Sequence, residues 1–296
     1  MAQIAAPLQT VSLRFRPSVS TRVRNWQLAT GLALVLGLAL IGLLGSLAVG
    51  ESGLKLGTAG FVKAPTLERP FGTDGSGRDI GVFLLHAVLP TMKIGLIAGG
   101  IGTAVGVVFG LLTGFLRGPI DSIVRTAADV ALAIPALAVL VVISAYVHVQ
   151  SVELMAVVVA LFAWPFPTRS IRAQTLALRE QGFVEIARLS GKGELLIAFT
   201  EILPNLLPYI IAGFVASVFG GILASVGLQL LGLGPRLVPT LGLMLEEAFQ
   251  AGAIVRNLWW WWGAPTATLI LLFIGLFLIS LGLDEVANPR LRRARR

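Results

Sequence analysis

The side chains that could carry out covalent or metal chemistry are few in this chain and lie far apart. The 296 residues include no cysteine, which excludes a disulfide, a thiolate metal site and a thiol nucleophile. His86 and His148 have no partner at ligand spacing, so packing or interface roles suit them better than metal binding. No Ser/His/Asp set or carboxylate pair stands out within the apolar stretches. We therefore expect no catalytic, metal-binding or cofactor-binding residue in this chain.

A glycine-rich segment at residues 71–79, FGTDGSGRD, looks at first like a phosphate-binding loop. It lacks the lysine and the hydroxyl residue of a Walker A motif, and no other stretch supplies G-x-x-x-x-G-K-[ST]. Nucleotide binding is therefore not predicted here. The local pattern instead predicts a turn in which Asp74 caps an interfacial helix running through Leu89.

A second polar segment, residues 169–203, separates two strongly apolar stretches. Three apolar residues recur at every third position, namely Phe183, Ile186 and Leu189. They form a stripe on an otherwise charged helix, which the glycines of Gly191-Lys192-Gly193 should end, since glycine readily adopts positive φ. Spacing alone fits two arrangements equally: a helix held in a groove of a partner protein, and a helix lying on the bilayer surface.

The composition places these segments in a membrane protein. Hydrophobic residues make up 56% of the chain, charged residues only 13%, and the mean hydropathy is +0.87. Water-soluble domains contain about 25% charged residues. The predicted class is an all-α integral membrane protein, because lipid-exposed backbone must satisfy its own hydrogen bonds.

Six apolar stretches are long enough to cross the bilayer as helices. They lie at about 28–49, 88–116, 124–147, 152–168, 207–232 and 264–283, after a polar arm at 1–27 and before a basic tail at 284–296. The first is longer than the apolar region of a signal peptide, which has about 7–15 residues, and is predicted to be a retained span. The transmembrane domain would thus occupy residues 28–283.

The distribution of Lys and Arg predicts the orientation of these spans. Residues 1–27, 117–125, 169–203 and 284–296 hold 16 of the 23 Lys and Arg, and the loops between them hold the other 7. Positive charge concentrates in cytoplasmic segments. Both termini and the 169–203 segment are therefore predicted to be cytoplasmic. Because the basic residues lie at membrane flanks and not on one soluble face, no nucleic-acid partner is expected.

Several features of the spans leave alternatives open. Glycines at every fourth position from Gly102 to Gly114 fit either close static packing or a seam along which helices slide. Trp259–Trp262, before a helix opened by Pro265, fit interfacial anchoring or substrate stacking. Asp129 fits a structural cap or a pathway role. Glu246 and Glu247 are expected on a solvated surface, although binding of a cation or protein is an alternative.

Two sets of residues resemble motifs of the peptide/nickel family of ABC-importer permeases. The 185–205 stretch is similar to the EAA loop through Glu185, Ala187, Gly191, Leu203, Pro204 and Asn205. The 71–79 segment is similar to the family's Gly-Thr-Asp-x-x-Gly-Arg-Asp signature through Gly72, Thr73, Asp74, Gly77, Arg78 and Asp79. The likeness extends over about residues 70–292, including Trp164, Arg169 and Arg172. Departures include Ile186, Glu201 and Asn288, and Glu201 puts the usual ATPase surface in doubt.

This resemblance implies a six-helix importer-type ABC permease in a prokaryotic cytoplasmic (inner) membrane. It would form half of a peptide path with a second homologous permease, and an extracytoplasmic binding protein would deliver the substrate. The 169–203 coupling loop would contact two ATPase domains, which bind ATP and Mg. Nickel or an oligosaccharide is an alternative cargo. An ATP-independent channel or a membrane scaffold is an alternative of a different class.

Overall fold

The computed structural model describes residues 25–116 and 118–287, with side chains through residue 283. Within these ranges the regular elements are helical. They are α1 (Trp26–Val49), α2 (Ile80–Leu116), α3 (Pro119–Ala133), α4 (Ala136–Val147), α5 (Val152–Ala160), α6 (Pro165–Arg179), α7 (Gly182–Leu189), α8 (Glu194–Ile197), α9 (Leu203–Leu230), α10 (Leu241–Gln250) and α11 (Trp259–Ala287). A π-helical turn, Ala198–Ile202, makes α8 and α9 one continuous helix. The predicted 1–27 arm and 284–296 tail lie almost wholly outside the described side chains.

The all-α membrane class is confirmed. Among residues 25–116 and 118–287, four helices are long and apolar enough to cross a bilayer: α1, α2, the continuous Glu194–Leu230 helix and α11 over Trp259–Leu283. The number rises to six if each of two bent helix pairs is counted as one span. The first pair is α3 with α4, bent by 85°, and the second is α5 with α6, bent by 49°. Six spans remain a prediction that depends on these pairs.

The sharp bend between α3 and α4 lies inside the stretch predicted as one span at 124–147. Ile134 is extended, with φ −82° and ψ 133°, and Pro135 precedes the first residue of α4. A proline disfavours the helical conformation of the residue before it and cannot donate a backbone hydrogen bond. The predicted straight span is therefore two helices at a steep angle.

The second span also differs from its predicted form. α2 begins at Ile80 and continues without a break to Leu116, so the separate interfacial helix through Leu89 is wrong. Its first turn is capped by Asp79, whose Oδ1 accepts hydrogen bonds from the N–H groups of Gly81 (2.8 Å) and Val82 (3.2 Å). The predicted cap, Asp74, lies upstream and has another role. At 1.5 Å per residue, the 37 residues of α2 extend about 55 Å.

The glycine series of α2 is a close packing seam. A Cβ added at Gly102, Gly106, Gly110 or Gly114 would lie less than 3.0 Å from atoms of the 163–175 segment, which includes most of α6. One turn earlier, Gly99 approaches the backbone of Val218 in α9 equally closely. Missing side chains therefore bring α2 into backbone contact with two neighbouring helices. The packing alternative accounts for the spacing, and sliding along the seam stays a prediction.

α2 also separates two polar regions of the molecule. Near its carboxyl end, Leu111 and Phe115 belong to a buried cluster with α7 and α8. Near its amino end, Ile80 and Phe83 belong to a cluster with α10 and α11. The 169–203 and 71–79 segments thus lie at opposite ends of the helix bundle.

Candidate functional site

The inner face of α7 attaches the 169–203 segment to the bundle. Val184 is fully buried and Ala187 nearly so, in a cluster with Leu111 and Phe115 of α2. Phe183 packs partly against the same cluster. These side chains place α7 in the same buried cluster as the end of α2, and α7 packs against α8 and the π-helical turn that follows it.

The outer face of α7 is apolar and exposed. Ile186 is 66% exposed and Leu189 is 83% exposed. Three further side chains, each about half exposed, continue this surface on the next helical segment: Leu195, Leu196 and Phe199. We call these five side chains the apolar ridge. Of the predicted stripe, Ile186 and Leu189 lie on this exposed face, whereas Phe183 packs partly against the buried cluster.

The turn after α7 is fixed by backbone hydrogen bonds that converge on Gly191. The N–H of Gly191 donates to the carbonyl of Arg188 (2.9 Å), and the N–H of Lys192 donates to the carbonyl of Ala187 (3.2 Å). This pair of bonds is a Schellman motif, which requires a left-handed residue after the helix. Gly191 has φ +79°. Its predicted helix-ending role is confirmed, with a geometric reason for glycine at this position.

Two ion pairs form between residues of the 169–203 segment. Arg188 donates from Nε and Nη2 to the carboxylate of Glu194, at 2.9 and 3.3 Å. Lys192 donates from Nζ to Glu201 (2.5 Å). The side-chain amide of Asn205 donates to the backbone carbonyl of Glu201 (2.7 Å). The charge of Glu201, the departure from the family pattern, is therefore matched by Lys192 of the same segment.

The remaining motif residues surround the ridge without forming a reaction centre. Glu185 is exposed and lines a cleft of about 480 Å³ together with Arg179 and Arg188. Leu203 is partly buried at the start of α9, and Pro204 follows it on the exposed side. Because Glu194–Leu230 is one continuous helix, Pro204 lies inside it, shortly after the π-helical turn.

At the other end, Asp74 organises the 71–79 segment. Its side chain is 1% exposed, and Oδ1 accepts hydrogen bonds from the N–H groups of Ser76 and Arg78, both at 2.8 Å. Oδ2 accepts a charged hydrogen bond from Nε of Arg78 (2.6 Å). Asp74 is thus the centre of a tight turn, and its predicted role as a helix cap is wrong.

Arg78 joins this turn to α10. Its Nη2 donates to the carboxylate of Glu247, and its guanidinium lies 4.4 Å from the centre of the Phe83 ring. Burial opposes the charge of Arg78, but the carboxylates of Glu247 and Asp74 outweigh that effect and raise its pKa. Burial raises the pKa of Glu247 above its ordinary 4.5, although Arg78 opposes the shift. The arginine therefore stays charged between two carboxylates.

The glycines of the signature make room for the tryptophans that open α11. A Cβ at Gly72 would lie 2.5 Å from the carbonyl oxygen of Lys63 and 2.9 Å from Trp260, while one at Gly75 would lie 2.6 Å from the ring of Trp261. Trp261 is 3% exposed, whereas Trp259 is 58% exposed. Interfacial anchoring therefore fits Trp259 but not Trp261, which packs in the core. The helix also begins at Trp259, so the prediction that Pro265 opens it is wrong.

Thr73 and Asp79 of the signature connect the turn to neighbouring parts of the chain. Thr73 is fully buried, and its hydroxyl accepts a hydrogen bond from the N–H of Lys63 (2.7 Å). Asp79, besides capping α2, lies 3.6 Å from Nε of Arg69. The segment is therefore held on both sides, by an upstream loop and by α2.

Several charged residues occupy positions that sequence patterns do not reveal. Glu246 is 2% exposed and accepts a hydrogen bond from Arg236 (2.7 Å), so a solvated surface is wrong for it. Asp129 lies well inside α3, where it cannot cap the helix amino terminus, and is 3.6 Å from Arg169. At Glu246, a preference for exposed charge is the only local signal, and it points away from the observed buried contact.

Comparison with known proteins shows the family to which the chain belongs. Residues 106–293 match the family described as "Binding-protein-dependent transport system inner membrane component". The oligopeptide transport system permease protein OppC of Lactococcus lactis subsp. cremoris (strain SK11) is 30% identical over 220 residues, 74% of each chain. The dipeptide transport system permease protein DppC of Alkalihalophilus pseudofirmus is 26% identical over 270 residues, 91% of this chain and 88% of that one.

The fold agrees with these relatives. A chain of the inward-facing MetNI methionine ABC transporter superposes with a TM-score of 0.52 at 20% identity, covering 69% of this chain and 94% of that chain. At this identity the likeness concerns the fold alone. The family match covers well over half of the chain, and the resemblance carried by the two motifs is confirmed. The chain therefore belongs to the inner membrane components of binding-protein-dependent transport systems, as a permease subunit of the ABC-importer type.

Proposed function

We propose that this permease subunit forms half of the path of an ATP-driven peptide importer and is driven through α7 and α8. Its proposed partners are a second homologous permease, two ATPase domains that bind ATP and Mg, and an extracytoplasmic binding protein. Peptide cargo is supported by the names of relatives, which describe oligopeptide and dipeptide permeases. The termini and the apolar ridge would face the cytoplasm.

The observation that carries the coupling role is the apolar ridge itself. Five large apolar side chains remain exposed on a segment whose opposite face is already packed against the bundle. Exposed apolar surface bordered by charged groups is typical of protein interaction sites. The ridge therefore suits the groove of a partner, with Glu185 and the Arg188–Glu194 pair at its border.

The charge of the segment argues against the alternative of a helix resting on lipid. Within the segment, the part that includes α7 and α8, residues 179–203, contains four Glu and three Lys or Arg and is slightly acidic. Helices that lie on membranes are usually rich in Lys and Arg, which attract anionic headgroups. A protein groove with mixed charge is therefore the better match for this surface.

Cross-linking tests the coupling contact directly, because the chain has no native cysteine. In the assembled complex, Leu189→Cys and Ile186→Cys should each cross-link to a cysteine placed in the ATPase groove. Leu67→Cys is the matched control, since Leu67 is fully exposed in the 50–79 loop at the other end of the bundle. An active complex that cross-links from neither ridge position would contradict the proposal.

Reconstitution tests the cargo and the need for ATP. Proteoliposomes containing the complete complex and its binding protein should accumulate labelled peptides only when ATP is present on the ATPase side. Nickel and oligosaccharides serve as the alternative cargoes in the same assay. Peptide flux without ATP would favour a channel, and ATP-dependent uptake of nickel or sugar alone would replace the peptide assignment.

A further inference from the structure

A cleft with a mainly apolar lining and a few polar side chains lies between the end of α4 and the turn that joins α9 to α10. Its volume is about 390 Å³, within the range of about 300–1,000 Å³ found for small-ligand sites. Four polar side chains are part of its lining: Ser144, His148, Gln150 and Arg236. The cleft is at the same end of the bundle as the 71–79 segment, since α9 and α10 meet α2 there through Thr91 and Leu241.

The guanidinium of Arg236 is held in place while remaining accessible. Its side chain is 59% exposed, whereas its partner Glu246 is 2% exposed. Glu246 also accepts a hydrogen bond from the side-chain amide of Gln250, so the carboxylate is fixed on two sides. A guanidinium carries five N–H donors. A single 2.7 Å bond to Glu246 leaves others available for a second anion in the cleft.

The cleft wall is shaped around this arginine. Gly232 has φ +78°, and a Cβ there would lie 3.3 Å from Nη2 of Arg236 and 3.6 Å from Glu246. On the opposite wall, Ser144 is 2% exposed and its hydroxyl has no hydrogen-bond partner in the described structure. Buried hydroxyl groups are normally hydrogen-bonded, so the hydroxyl of Ser144 is available to bond a ligand in the cleft. Nδ1 of His148 donates to the carbonyl of Tyr146 (2.9 Å), which leaves Nε2 available.

A second cavity lies one turn further along α4. It has a volume of about 270 Å³ and a mainly apolar lining between α4, α9 and the α5–α6 bend. Leu140 of its lining precedes Ser144 of the cleft by one turn of α4. The cleft that holds the guanidinium of Arg236 is thus followed along α4 by an apolar cavity. This order suits a ligand with a charged end and an uncharged body.

We propose that the α4–α9 cleft is a substrate subsite in which Arg236 binds a peptide carboxylate. The proposal rests on peptide import as the function of the complex. The carboxylate is either the C-terminus of the peptide or an Asp or Glu side chain, because the guanidinium recognises both in the same way. Arg236 would then favour acidic ends in addition to any selection by the binding protein.

The test compares three peptide pools in proteoliposomes containing the complete importer. The first pool has tripeptides without Asp or Glu and with a free C-terminus, the second has the same peptides as C-terminal amides, and the third has amides containing Glu. Arg236→Gln is compared with the double variant Arg236→Gln/Glu246→Gln, which avoids leaving a buried unpaired carboxylate. Arg256→Gln is the control, since it removes an exposed positive charge from the same end of the molecule.

The measured quantity is the ratio of free-acid to amide uptake, in which the unchanged contribution of the binding protein cancels between variants. We expect this ratio to fall about tenfold in both Arg236 variants, the factor for one charge-assisted hydrogen bond, and to stay constant in Arg256→Gln. Preference for the third pool over the second would identify the side-chain carboxylate as the ligand. The subsite would be overturned if neither the free-acid-to-amide ratio nor the third-to-second-pool ratio falls in the Arg236 variants, or if every pool is lost equally. If wild-type complex imports none of the pools, the peptide function fails instead.

Discussion

Replacing Gly191 tests whether the turn after α7 transmits motion from the ATPase. At φ +79° an L-residue is strained, and the cost of the left-handed conformation is about 1–2 kcal/mol. A Cβ at this position would meet no atom within 4 Å, so Gly191→Ala adds no clash. The whole effect therefore comes from backbone conformation. A free energy of this size corresponds to about a 5- to 30-fold change in an equilibrium constant.

Gly193 supplies a matched control two residues away. Its φ of −68° and ψ of 152° are open to alanine, and a Cβ there would also meet nothing within 4 Å. Gly193→Ala should therefore leave the segment unchanged or stabilise it slightly, by about 0.4–1 kcal/mol. Gly191→Asn should be milder than Gly191→Ala, because asparagine tolerates the left-handed region better.

Hydrogen exchange followed by mass spectrometry measures the turn, and uptake measures its function. In Gly191→Ala, the amide of Lys192, which donates to the carbonyl of Ala187, should exchange about 5- to 30-fold faster. ATP-dependent uptake should be highest in Gly193→Ala, lower in Gly191→Asn and lowest in Gly191→Ala. Equal exchange and uptake in Gly191→Ala and Gly193→Ala would refute the reasoning, since the two differ only in backbone conformation.

The other predictions concern the end of the bundle that holds the 71–79 segment and the glycine packing seam of α2. Arg78→Gln leaves two carboxylates without their cation and should destabilise the protein by about 3–5 kcal/mol, whereas Arg256→Gln, at an exposed arginine with a 3.5 Å bond to the carbonyl of Ala251, should change the melting temperature little. Because the pKa of Glu247 is raised in the folded protein, its contribution to stability falls as pH rises from 4.5 through the raised value. The melting temperature of wild type relative to Glu247→Gln should therefore decrease over that pH range, and an increase would contradict the raised pKa. Gly106→Ala places a Cβ less than 3.0 Å from α6 and should lower the melting temperature in detergent, while Gly100→Ala, whose nearest contact is 3.9 Å, should not.

The helices and the turn of the 169–203 segment were largely predictable, because the residues that determine them are close in sequence. The three-residue apolar spacing, the Gly191 stop and the proline that follows are all read within about 20 residues. Spacing does not reveal which of these apolar side chains are buried against the helix bundle and which stay exposed. Phe183 and Leu189 belong to the same stripe, yet one packs partly inward and the other is almost fully exposed. That division depends on where α2 ends, a tertiary fact.

Proline positions show a second limit of sequence reasoning. Pro90, Pro208 and Pro265 lie inside continuous helices, whereas Pro135 coincides with an 85° bend. All four remove one backbone donor and restrict the preceding residue in the same way. The difference therefore arises from the packing of the flanking turns. Ile134 is 41% exposed, so the segment there is not confined by neighbouring helices and takes the extended conformation.

The contacts at the end of the bundle that holds the 71–79 segment could not be predicted, because they join residues far apart in sequence. Arg78 and Glu247 are 169 residues apart, and Thr91 and Leu241 are 150 apart. Locally, a Glu in an outer loop indicates only solvation, since an isolated buried carboxylate would be costly. The Asp74–Arg78–Glu247 cluster reverses that expectation because one guanidinium serves two acids from different parts of the chain. Motif resemblance located Asp74 and Arg78 without revealing their partner, so the physical role of the signature emerges only when α10 is in place.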